Sequence, residues 1–280
     1  MPQKEFYRTG TWEMGIRRYA QDFLRPYLSN IRINHFYALY YCVSGAMSFQ
    51  ILRKPYTIRT GEILLISSAE PSVITAQAGD RYDIVRITFE RDWLEALHME
   101  ELLLPFENRK QGENNLIHPS DFPNEYWLQA VGHFVRESAP DDLEAKVCTL
   151  SLLWCILEQF RSQPGQTGRV EKSLSEKILD HVNLTFLQET DIPAIAEKFH
   201  ISRASLYRIF KEETGLPIGA YVTDKRLLAA KEMLISGVSP KNVSTYCRFK
   251  DYSTFYRAYK RRFGISPGQE KRMKNKPENA

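Results

Sequence analysis

The sequence predicts an α+β protein of two domains, an antiparallel β-barrel with packed helices followed by an all-α domain. Between residues 31 and 90, runs rich in β-branched and aromatic residues alternate with turn residues. The back half shows the apolar spacing of helices, and a basic phrase within it occurs twice, 49 positions apart. A chain of 280 residues is also long enough for about two domains.

The charge distribution divides the chain in the same way. Residues 1–168 carry 17 Lys and Arg against 21 Asp and Glu, whereas residues 169–280 carry 21 against 13. The basic back half suggests contact with a polyanion, although a solvated charged surface would give the same count. A polar stretch with one proline and two glycines lies where the charge changes sign and predicts a linker. The expected parts are a domain at residues 1–161, a linker at 162–172 and a domain at 173–280.

The cysteines and the N-terminus indicate a cytoplasmic protein. The four cysteines form no CxxC pair and lie among apolar residues, which is typical of buried thiols rather than of disulfides or metal ligands. Residues 1–25 lack the apolar run of a signal peptide. The most apolar stretch, residues 150–157, is too short to span a bilayer, so we expect no membrane contact.

The front half predicts short strands separated by closely spaced turns, the pattern of an antiparallel barrel. The predicted strands lie at residues 38–43, 48–52, 56–58, 62–66, 73–75 and 83–89. Residues 1–30 are mixed and aromatic, and they predict an arm or edge segments rather than a defined element. Helices are expected to follow at residues 91–104, 122–137 and 141–160.

The phrases YYCVSG at residues 40–45 and TGEILLI at residues 60–66 resemble the two-strand signature of cupin-type barrels. Many cupins are metalloenzymes whose metal site needs His-x-His, a later Glu and another His. Here His35 stands alone beside Asn34, and the remaining candidates, His118 and His133, lie outside the barrel region. Because a metal needs several ligands, we expect no metal, no cofactor and no catalytic residue, and a barrel that binds a small effector.

The candidate effector-binding residues are Phe36, Tyr40 and Arg86. Alternation along the last predicted strand places Arg86 on the same face as Ile84 and Thr88. If that face points inward, Arg86 could pair with an anionic ligand. If it points outward, Arg86 is an ordinary solvated charge, which is the simpler interpretation because arginine is rarely buried unpaired.

The last helix of the front half carries apolar residues at the alternating spacing of a coiled-coil seam. These residues are Leu143, Val147, Leu150, Trp154 and Leu157. We expect another face of the helix to pack on the barrel while this seam meets a second subunit. A helix buried wholly within one chain would show the same short pattern.

The repeated phrase predicts two short amphipathic helices in the back half. Its first copy is LYRIFK at residues 206–211, followed by Gly215, and its second is FYRAYK at residues 255–260, followed by Gly264. In each copy the apolar residues form one stripe, and most of the Tyr, Arg and Lys side chains fall outside it. Each glycine supplies the left-handed residue that ends a helix.

The residues around the two copies predict two helix-turn-helix units. Ser202 and Asp251 are suitable N-caps immediately before the two copies. A shorter helix precedes each copy across a tight turn, and a longer helix at residues 218–236 joins the two units. We therefore expect seven helices, arranged as two three-helix units and a linking helix.

The words LYRIFKEETG at residues 206–215 and FKDYSTFYRAYKRRFGISP at residues 249–267 resemble the DNA-binding domain of AraC/XylS-type transcription regulators. The front half resembles the cupin-like effector and dimerisation domain often found in that family. The resemblance implies a homodimeric activator that binds double-stranded DNA and acts through RNA polymerase. Ser244 and Arg248 stand where relatives usually have a small residue and a glycine.

Residues in the first two turns of a recognition helix contact base edges, and later residues contact phosphates. The candidates for base contact are Arg203, Ser205, Tyr207 and Arg208 in the first unit, and Tyr252, Ser253, Thr254, Tyr256 and Arg257 in the second. The candidates for phosphate or other DNA contact are Ser202, Lys211, Arg248, Lys260, Arg261 and Arg262. Arg208 and Arg257 could instead pair with neighbouring carboxylates.

Two alternative functions stay open at this point. One is a metal-dependent cupin enzyme fused to a DNA-binding tail. The other is a DNA-binding regulator whose barrel serves only for dimerisation and binds no small molecule.

Overall fold

The computed structural model describes residues 4–10, 14–22, 27–28, 36–52, 54–163, 172–188, 191–235 and 237–274. The chain divides into two compact units, residues 1–172 and 173–280. In the described residues the first unit contains strands and helices, and the second contains helices. Residues 164–171 of the expected linker, and the predicted strand position of His35, lie outside the described residues.

An antiparallel sheet forms the centre of the first unit. Its strands are β1 (Lys4–Gly10), β2 (Met14–Asp22), β3 (Tyr27–Leu28), β4 (Tyr37–Ile51), β5 (Lys54–Arg59), β6 (Ile63–Ile66), β7 (Ser72–Ala76), β8 (Arg81–Phe89) and β9 (Leu116–Ile117). They pair in the order β1–β2–β8–β4–β6–β9, while β4 also pairs with β5 and β7, and β7 with β3. The first part of the long β4 therefore pairs with β8 and β6, and its second part pairs with β5 and β7.

The prediction of two separate strands at residues 38–43 and 48–52 is wrong, because β4 runs unbroken through 15 residues. Its register against β8 shifts between Cys42 and Ser44. Gly45 follows with a φ of +82°, and a Cβ at that position would lie 2.0 Å from the carbonyl oxygen of Arg81. The Ser-Gly pair therefore marks a bulge that bends one strand, not a turn between two.

The interpretation of residues 1–30 as an arm or edge segments fits β1, which lies at the edge of the sheet, but is wrong for β2. Strand β2 lies inside the sheet, between β1 and β8. Its residues Met14 and Ile16 are buried against the helices. The adjacent charges of Arg17 and Arg18 interrupt the apolar alternation that would have indicated a strand.

The sheet buries an apolar cluster on each face. The inner cluster includes Tyr19, Ala38, Tyr40, Phe49, Ile66 and Ile84. The outer cluster combines strand residues such as Leu39 and Val85 with helix residues such as Phe134, Leu153 and Ile156. Among the described residues, the helix side chains in these clusters belong to the outer one, and the inner cluster is formed by strand residues.

The helices of the first unit are α1 (Arg91–Glu95), α2 (Leu104–Glu107), α3 (Tyr126–Phe134) and α4 (Asp142–Ser162). The predicted continuous helix at residues 91–104 is wrong, since His98 adopts a φ of +54° and ends the helical path after α1. Helix α4 begins at Asp141, whose side chain accepts a hydrogen bond from the backbone N–H of Glu144 at 2.8 Å. The four cysteines of the chain are buried free thiols.

A buried ion pair joins two loops of the first unit. Arg109 donates from its two terminal nitrogens to the two oxygens of Glu70, at 2.7 Å each. The Arg109 and Glu70 side chains are 2% and 0% exposed. The carboxylate of Glu70 also accepts from Asn115 Nδ2 at 3.0 Å and from the backbone N–H of Gly112 at 2.6 Å. Asn115 and Glu70 lie 45 residues apart, so no local sequence pattern predicts this network.

The second unit contains, in its described residues, the seven helices that the sequence predicts. They are α5 (Leu174–Thr185), α6 (Ile192–Lys198), α7 (Arg203–Thr214), α8 (Ile218–Ile235), α9 (Pro240–Tyr246), α10 (Tyr252–Phe263) and α11 (Pro267–Lys274). Ser173 and Glu176 form the capping box that opens α5. Gly215 and Gly264 end α7 and α10 in the left-handed conformation, each with a φ of +77°.

Candidate nucleic-acid interface

Helix α7 is amphipathic and turns its polar side to solvent. Leu206 and Phe210 are buried, and the Phe210 ring lies 5.2 Å from the ring of Tyr221 in α8. The exposed side chains of this helix include four of the predicted DNA contacts, namely Arg203, Tyr207, Arg208 and Lys211. The apolar stripe therefore fixes the helix in the unit and leaves a basic, hydrogen-bonding face free for a ligand.

Helix α10 repeats this arrangement in the second copy of the phrase. Phe255 and Tyr259 are fully buried, and their rings lie 5.5 Å apart. The exposed predicted contacts of this helix are Tyr252, Ser253, Tyr256, Arg257, Lys260 and Arg261. The second helix thus presents three basic groups and two tyrosines on one exposed surface.

Two of the predicted base contacts also take part in helix caps. Ser205 donates its backbone N–H to the Ser202 hydroxyl at 3.0 Å, and the two hydroxyl groups lie 2.9 Å apart. Thr254 donates its backbone N–H and its hydroxyl to the carboxylate of Asp251, at 2.7 Å and 3.0 Å. These bonds hold the pKa of Asp251 below its usual range. The hydroxyl groups of Ser205 and Thr254 therefore stabilise the first turns of the two helices.

The turns of the two helix-turn-helix units share one backbone geometry. His200 and Arg248 adopt φ values of +53° and +56°. Ile201 N–H donates to the carbonyl of Ala196 in the first turn, and Phe249 N–H donates to the carbonyl of Ser244 in the second, both at 3.0 Å. Arg248 therefore adopts the left-handed backbone conformation at the position where relatives usually have a glycine. Its side chain is exposed beside α10.

Arg226 in the linking helix α8 ties the second turn to the segment after α5. Its guanidinium donates to the carbonyl oxygens of Phe186 and Gln188 at 2.7 Å each, and to that of Arg248 at 3.2 Å. Because these carbonyls belong to two different segments, the guanidinium fixes the position of the second unit within the domain. The sequence pattern gave no signal for this role, since the partners are backbone atoms 22 to 40 residues away.

Two arginines with predicted DNA contacts form ion pairs within the unit. Arg208 lies 3.2 Å from Glu212 one turn later, and both side chains are more than half exposed. Arg262 lies 2.5 Å from Asp224 of α8, and both are largely buried. The exposed pair leaves Arg208 able to exchange its partner for DNA at little cost. Arg262 instead holds α10 against the linking helix, so its assignment to a phosphate is not supported.

The candidate effector residues lie on or beside the inner face of the sheet. Tyr40 is buried in the inner cluster, and Phe36 packs against it. Arg86 pairs in register with Tyr40 across β8 and β4, which places its side chain on the same inner face. The simpler interpretation of Arg86 as an outward-facing solvated charge is therefore wrong.

The histidines beyond the barrel form pairs rather than a metal cluster. His118 lies 2.8 Å from Glu62, and His133 lies 2.6 Å from Glu144. Within the described residues, no group of three or more His, Cys, Asp or Glu side chains is placed to hold a metal ion.

The predicted seam on α4 is largely exposed. Leu143, Val147 and Trp154 are 72%, 55% and 50% exposed, and Leu150 is half-buried. Leu157 is buried in the core of its own unit, so its assignment to a seam between subunits is wrong. The helix therefore bears an apolar strip of four residues along its N-terminal and central turns.

Two capped helices, each beside a tight turn and each exposing tyrosine, serine and basic side chains, define a double helix-turn-helix DNA-binding domain. The comparisons agree with this class. Residues 195–273 match the family described as a helix-turn-helix domain. Residues 21–119 match the family described as the N-terminal domain of the regulatory protein PchR.

Curated relatives carry the names of transcriptional activators. Over 161 residues the chain is 28% identical to the HTH-type transcriptional activator RhaS of Escherichia coli O157:H7, a match that covers 57% of this chain and 48% of RhaS. Over 221 residues it is 21% identical to the activator RhaR of Pectobacterium carotovorum, covering 76% and 75% of the two chains. The chain thus spans about half the length of the RhaS relatives that it matches.

A solved structure shares the fold along nearly the whole chain. ToxT of Vibrio cholerae, solved with an unsaturated fatty acid bound, aligns with a TM-score of 0.55 at 14% identity and covers 98% of this chain and 100% of ToxT. Two family models thus match separate parts of the chain, and the named relatives are transcription regulators. The described helices are each too short or too polar to traverse a bilayer.

Proposed function

We propose that this protein is a sequence-specific DNA-binding transcription regulator, an activator whose first unit responds to a small effector. The observation that carries the proposal is the pair of matching recognition helices, α7 and α10, each fixed by buried aromatic residues and exposed on its basic face. A cytoplasmic location and contact with RNA polymerase follow from this role, since an activator acts at chromosomal promoters. The relatives named as activators support activation rather than repression of transcription.

The geometry of a double helix-turn-helix domain predicts how DNA is contacted. Each recognition helix enters the major groove, and two such helices on one face of the duplex lie about one helical turn, roughly 34 Å, apart. Exposed arginines near the start of each helix can donate two hydrogen bonds to the O6 and N7 atoms of guanine. Lys211, Lys260 and Arg261 supply phosphate contacts that depend on salt but carry no sequence information.

Arg257→Ala and Lys260→Ala are expected to separate specific from non-specific binding. Loss of Arg257 should weaken binding to the selected site by about 1–3 kcal/mol, with a smaller effect on scrambled DNA, because a base contact discriminates sequences. Loss of Lys260 should weaken both alike and lower the salt dependence, because a phosphate contact does not. Fluorescence anisotropy on the full chain, with a duplex selected from a random library and its scrambled version, measures both effects.

Lys241→Ala is a suitable control for this comparison, since Lys241 is an exposed lysine on α9 and lies outside the predicted contacts. It should leave both affinities nearly unchanged at fixed salt. The assignment is wrong if Lys260→Ala reduces the preference for the selected duplex over the scrambled one more than Arg257→Ala does.

The inner face of the first unit is the proposed effector site. Tyr40 and Arg86 lie opposite each other there, and Phe36 packs against the same apolar cluster. The side chains of Phe36 and Arg86 keep part of their surface exposed. A solved structure of the same fold, ToxT, holds an unsaturated fatty acid. Because the fold is shared, this structure supports an effector for the present chain. It does not indicate which ligand that effector is.

The apolar strip on α4 is the proposed contact between two copies of the chain. Leu143, Val147, Leu150 and Trp154 share one side of a 21-residue helix. Their spacing matches that of residues that interlock between paired helices. A homodimer would place two DNA-binding domains on one operator and raise the effective affinity for paired sites.

The double variant Leu143→Glu, Trp154→Glu is expected to raise the dimer dissociation constant at least tenfold. Each change places a charge in an apolar contact without a partner, which is costly. Sedimentation velocity should show the wild type at twice the chain mass of 32.6 kDa and the variant at that mass. Tyr126→Glu, which alters an exposed aromatic residue on α3 instead, should keep the dimer. A monomeric wild type would refute the assignment.

A further inference from the structure

The two helix-turn-helix units differ strongly in charge. The first helix-turn-helix, residues 191–215, runs from the N-cap of α6 to the glycine that ends α7, and it contains four Lys and Arg against four Asp and Glu. The second helix-turn-helix, residues 239–264, runs between the equivalent positions and contains seven Lys and Arg against one Asp. With histidine neutral, their formal charges are therefore 0 and +6.

Part of this difference lies at matched positions of the two recognition helices. The 49-residue repeat pairs Glu212 with Arg261 and Glu213 with Arg262. Glu212 and Arg261 are both exposed, so this pair reverses the sign of the charge that the two helices present to a ligand. Arg262 forms an ion pair with Asp224 of α8, which still leaves the second helix-turn-helix with a net charge of +5.

The cations of α7 have anions on their own helix, whereas those of α10 do not. Arg208 pairs with Glu212 at 3.2 Å, and Lys211 is followed directly by two glutamates. The sequence of α10 contains no Asp or Glu. Its exposed cations are Arg257, Lys260 and Arg261. The positive charge of the second recognition helix is therefore available to phosphates, and that of the first is opposed along the same surface.

These charges determine how each helix-turn-helix interacts with DNA of any sequence. A protein that neutralises Z phosphates releases their counterions, and the logarithm of its binding constant falls with the logarithm of the salt concentration at a slope of about −0.9Z. The second helix-turn-helix is attracted to any phosphate backbone. In the first, the repulsion between glutamates and phosphates offsets the attraction of the cations. Its docking therefore gains little free energy unless its base contacts match the sequence.

We propose that the second helix-turn-helix holds DNA of any sequence, and that the first helix-turn-helix docks only where its base contacts match, with Glu212 opposing docking elsewhere. A group that repels the wrong partner raises specificity even when it adds nothing to the affinity for the right one. At a matched site, base contacts by Arg203 and Arg208 outweigh this repulsion. This inference rests on the proposed function and assigns a different part of it to each helix-turn-helix.

Reversing the charge of α10 tests the first half of this inference in the full chain. Fluorescence anisotropy follows binding to the selected duplex and to its scrambled version, between about 50 and 200 mM salt. Arg261→Glu is expected to weaken binding to both duplexes about tenfold at 0.1 M salt and to make the salt slope shallower by about 1–2, because a phosphate contact is lost from either complex. The preference for the selected duplex should stay nearly unchanged.

Reversing the charge of α7 tests the second half. Glu212→Arg is expected to raise the affinity for the scrambled duplex more than tenfold and to lower the preference for the selected duplex at least threefold. On scrambled DNA the first helix-turn-helix would begin to dock, whereas on the selected duplex it is already docked and gains one contact only. Glu212→Gln should act in the same direction by a smaller factor, because it removes a negative charge without adding a positive one.

Lys177→Glu is the matched control for Arg261→Glu. Lys177 is an exposed residue of α5, outside both helix-turn-helix units, and its replacement changes the net charge of the chain by the same amount. Because charges more than about 10 Å apart are largely screened at 0.1 M salt, it should alter either affinity less than threefold. All of these positions are exposed, so each variant should fold, which circular dichroism checks.

Two results would overturn the proposal although the wild type prefers the selected duplex. One is unchanged binding of Arg261→Glu to the scrambled duplex, and the other is a preference that Glu212→Arg leaves unchanged or raises. The proposed function would stand in both cases, because the same titrations show specific binding. A wild type that binds neither duplex, or both equally, would instead remove the proposed function and this inference with it.

Discussion

Arg109→Met is expected to destabilise the first unit by about 3–5 kcal/mol, the cost of leaving one member of a buried ion pair without its partner. The Glu70 carboxylate is fully buried and accepts bonds from both terminal nitrogens of Arg109. Asn115 and the backbone of Gly112 would keep their bonds to it, but neither carries a compensating charge. The loss should therefore exceed that of an ordinary surface substitution several times over.

Tryptophan fluorescence measures this effect in the full chain, because all four tryptophans belong to residues 1–172. Urea unfolding followed by this signal reports the first unit alone. Lys110→Met is the matched control: the neighbouring side chain is 60% exposed and pairs with Glu113 at 3.2 Å on the surface. It should cost less than about 1 kcal/mol. Equal losses for the two variants would show that the buried pair is not a stabilising element.

Lys225→Met is expected to stabilise the DNA-binding domain at pH 7 by on the order of 1–4 kcal/mol, the usual gain when a well-packed apolar residue replaces a buried charge. The Lys225 ammonium is buried within the second unit and donates to Asn183 Oδ1 at 2.7 Å. Asn183 would not lose its only donor, since the Tyr221 hydroxyl donates to the same oxygen at 2.8 Å. Methionine can fill a similar volume without a desolvation cost.

We expect the stability of the domain to depend on pH because of Lys225. Burial lowers the pKa of Lys225 to about 7, whereas an unfolded chain keeps a value near ~10.4. Between these values the unfolded state binds one more proton, so the stability of the wild-type domain rises as the pH increases from 7 towards 10. Lys225→Met should remove this slope.

Circular dichroism of residues 170–280 follows the thermal unfolding at each pH. Lys231→Met, on the same helix but with a partly exposed side chain, should keep the wild-type slope. A Lys225→Met domain that is less stable at pH 7, or that keeps the slope, would contradict the assignment.

The helical half of the chain was predictable because its signals are local. Ser202 and Asp251 precede their helices and cap them as expected, and Gly215 and Gly264 lie at the ends of those helices. A cap needs only a residue and the backbone three positions later. The internal repeat shows the same local signals at a second place in the chain. The positions of both recognition helices could therefore be predicted to within a residue or two.

The front half was less predictable because its features depend on distant partners. Strand β2 is defined by its pairing with β8, which lies about 60 to 75 residues later. Its two adjacent arginines interrupt the alternation of apolar residues that would predict a strand. The face of Arg86 was misjudged because arginine is rare on inner faces, and only the register against β4 shows which face its side chain occupies. The pairs of Arg109 with Glu70 and of Arg226 with three carbonyls also join separate segments.

The central claim is that the second unit binds DNA through its two recognition helices. Fluorescence anisotropy of residues 170–280 with a duplex selected by the full chain tests it most directly. We predict that the fragment binds this duplex at low salt more tightly than a scrambled one, and that affinity falls steeply as salt increases. A fragment that is folded by circular dichroism and binds neither duplex at low salt would contradict the claim.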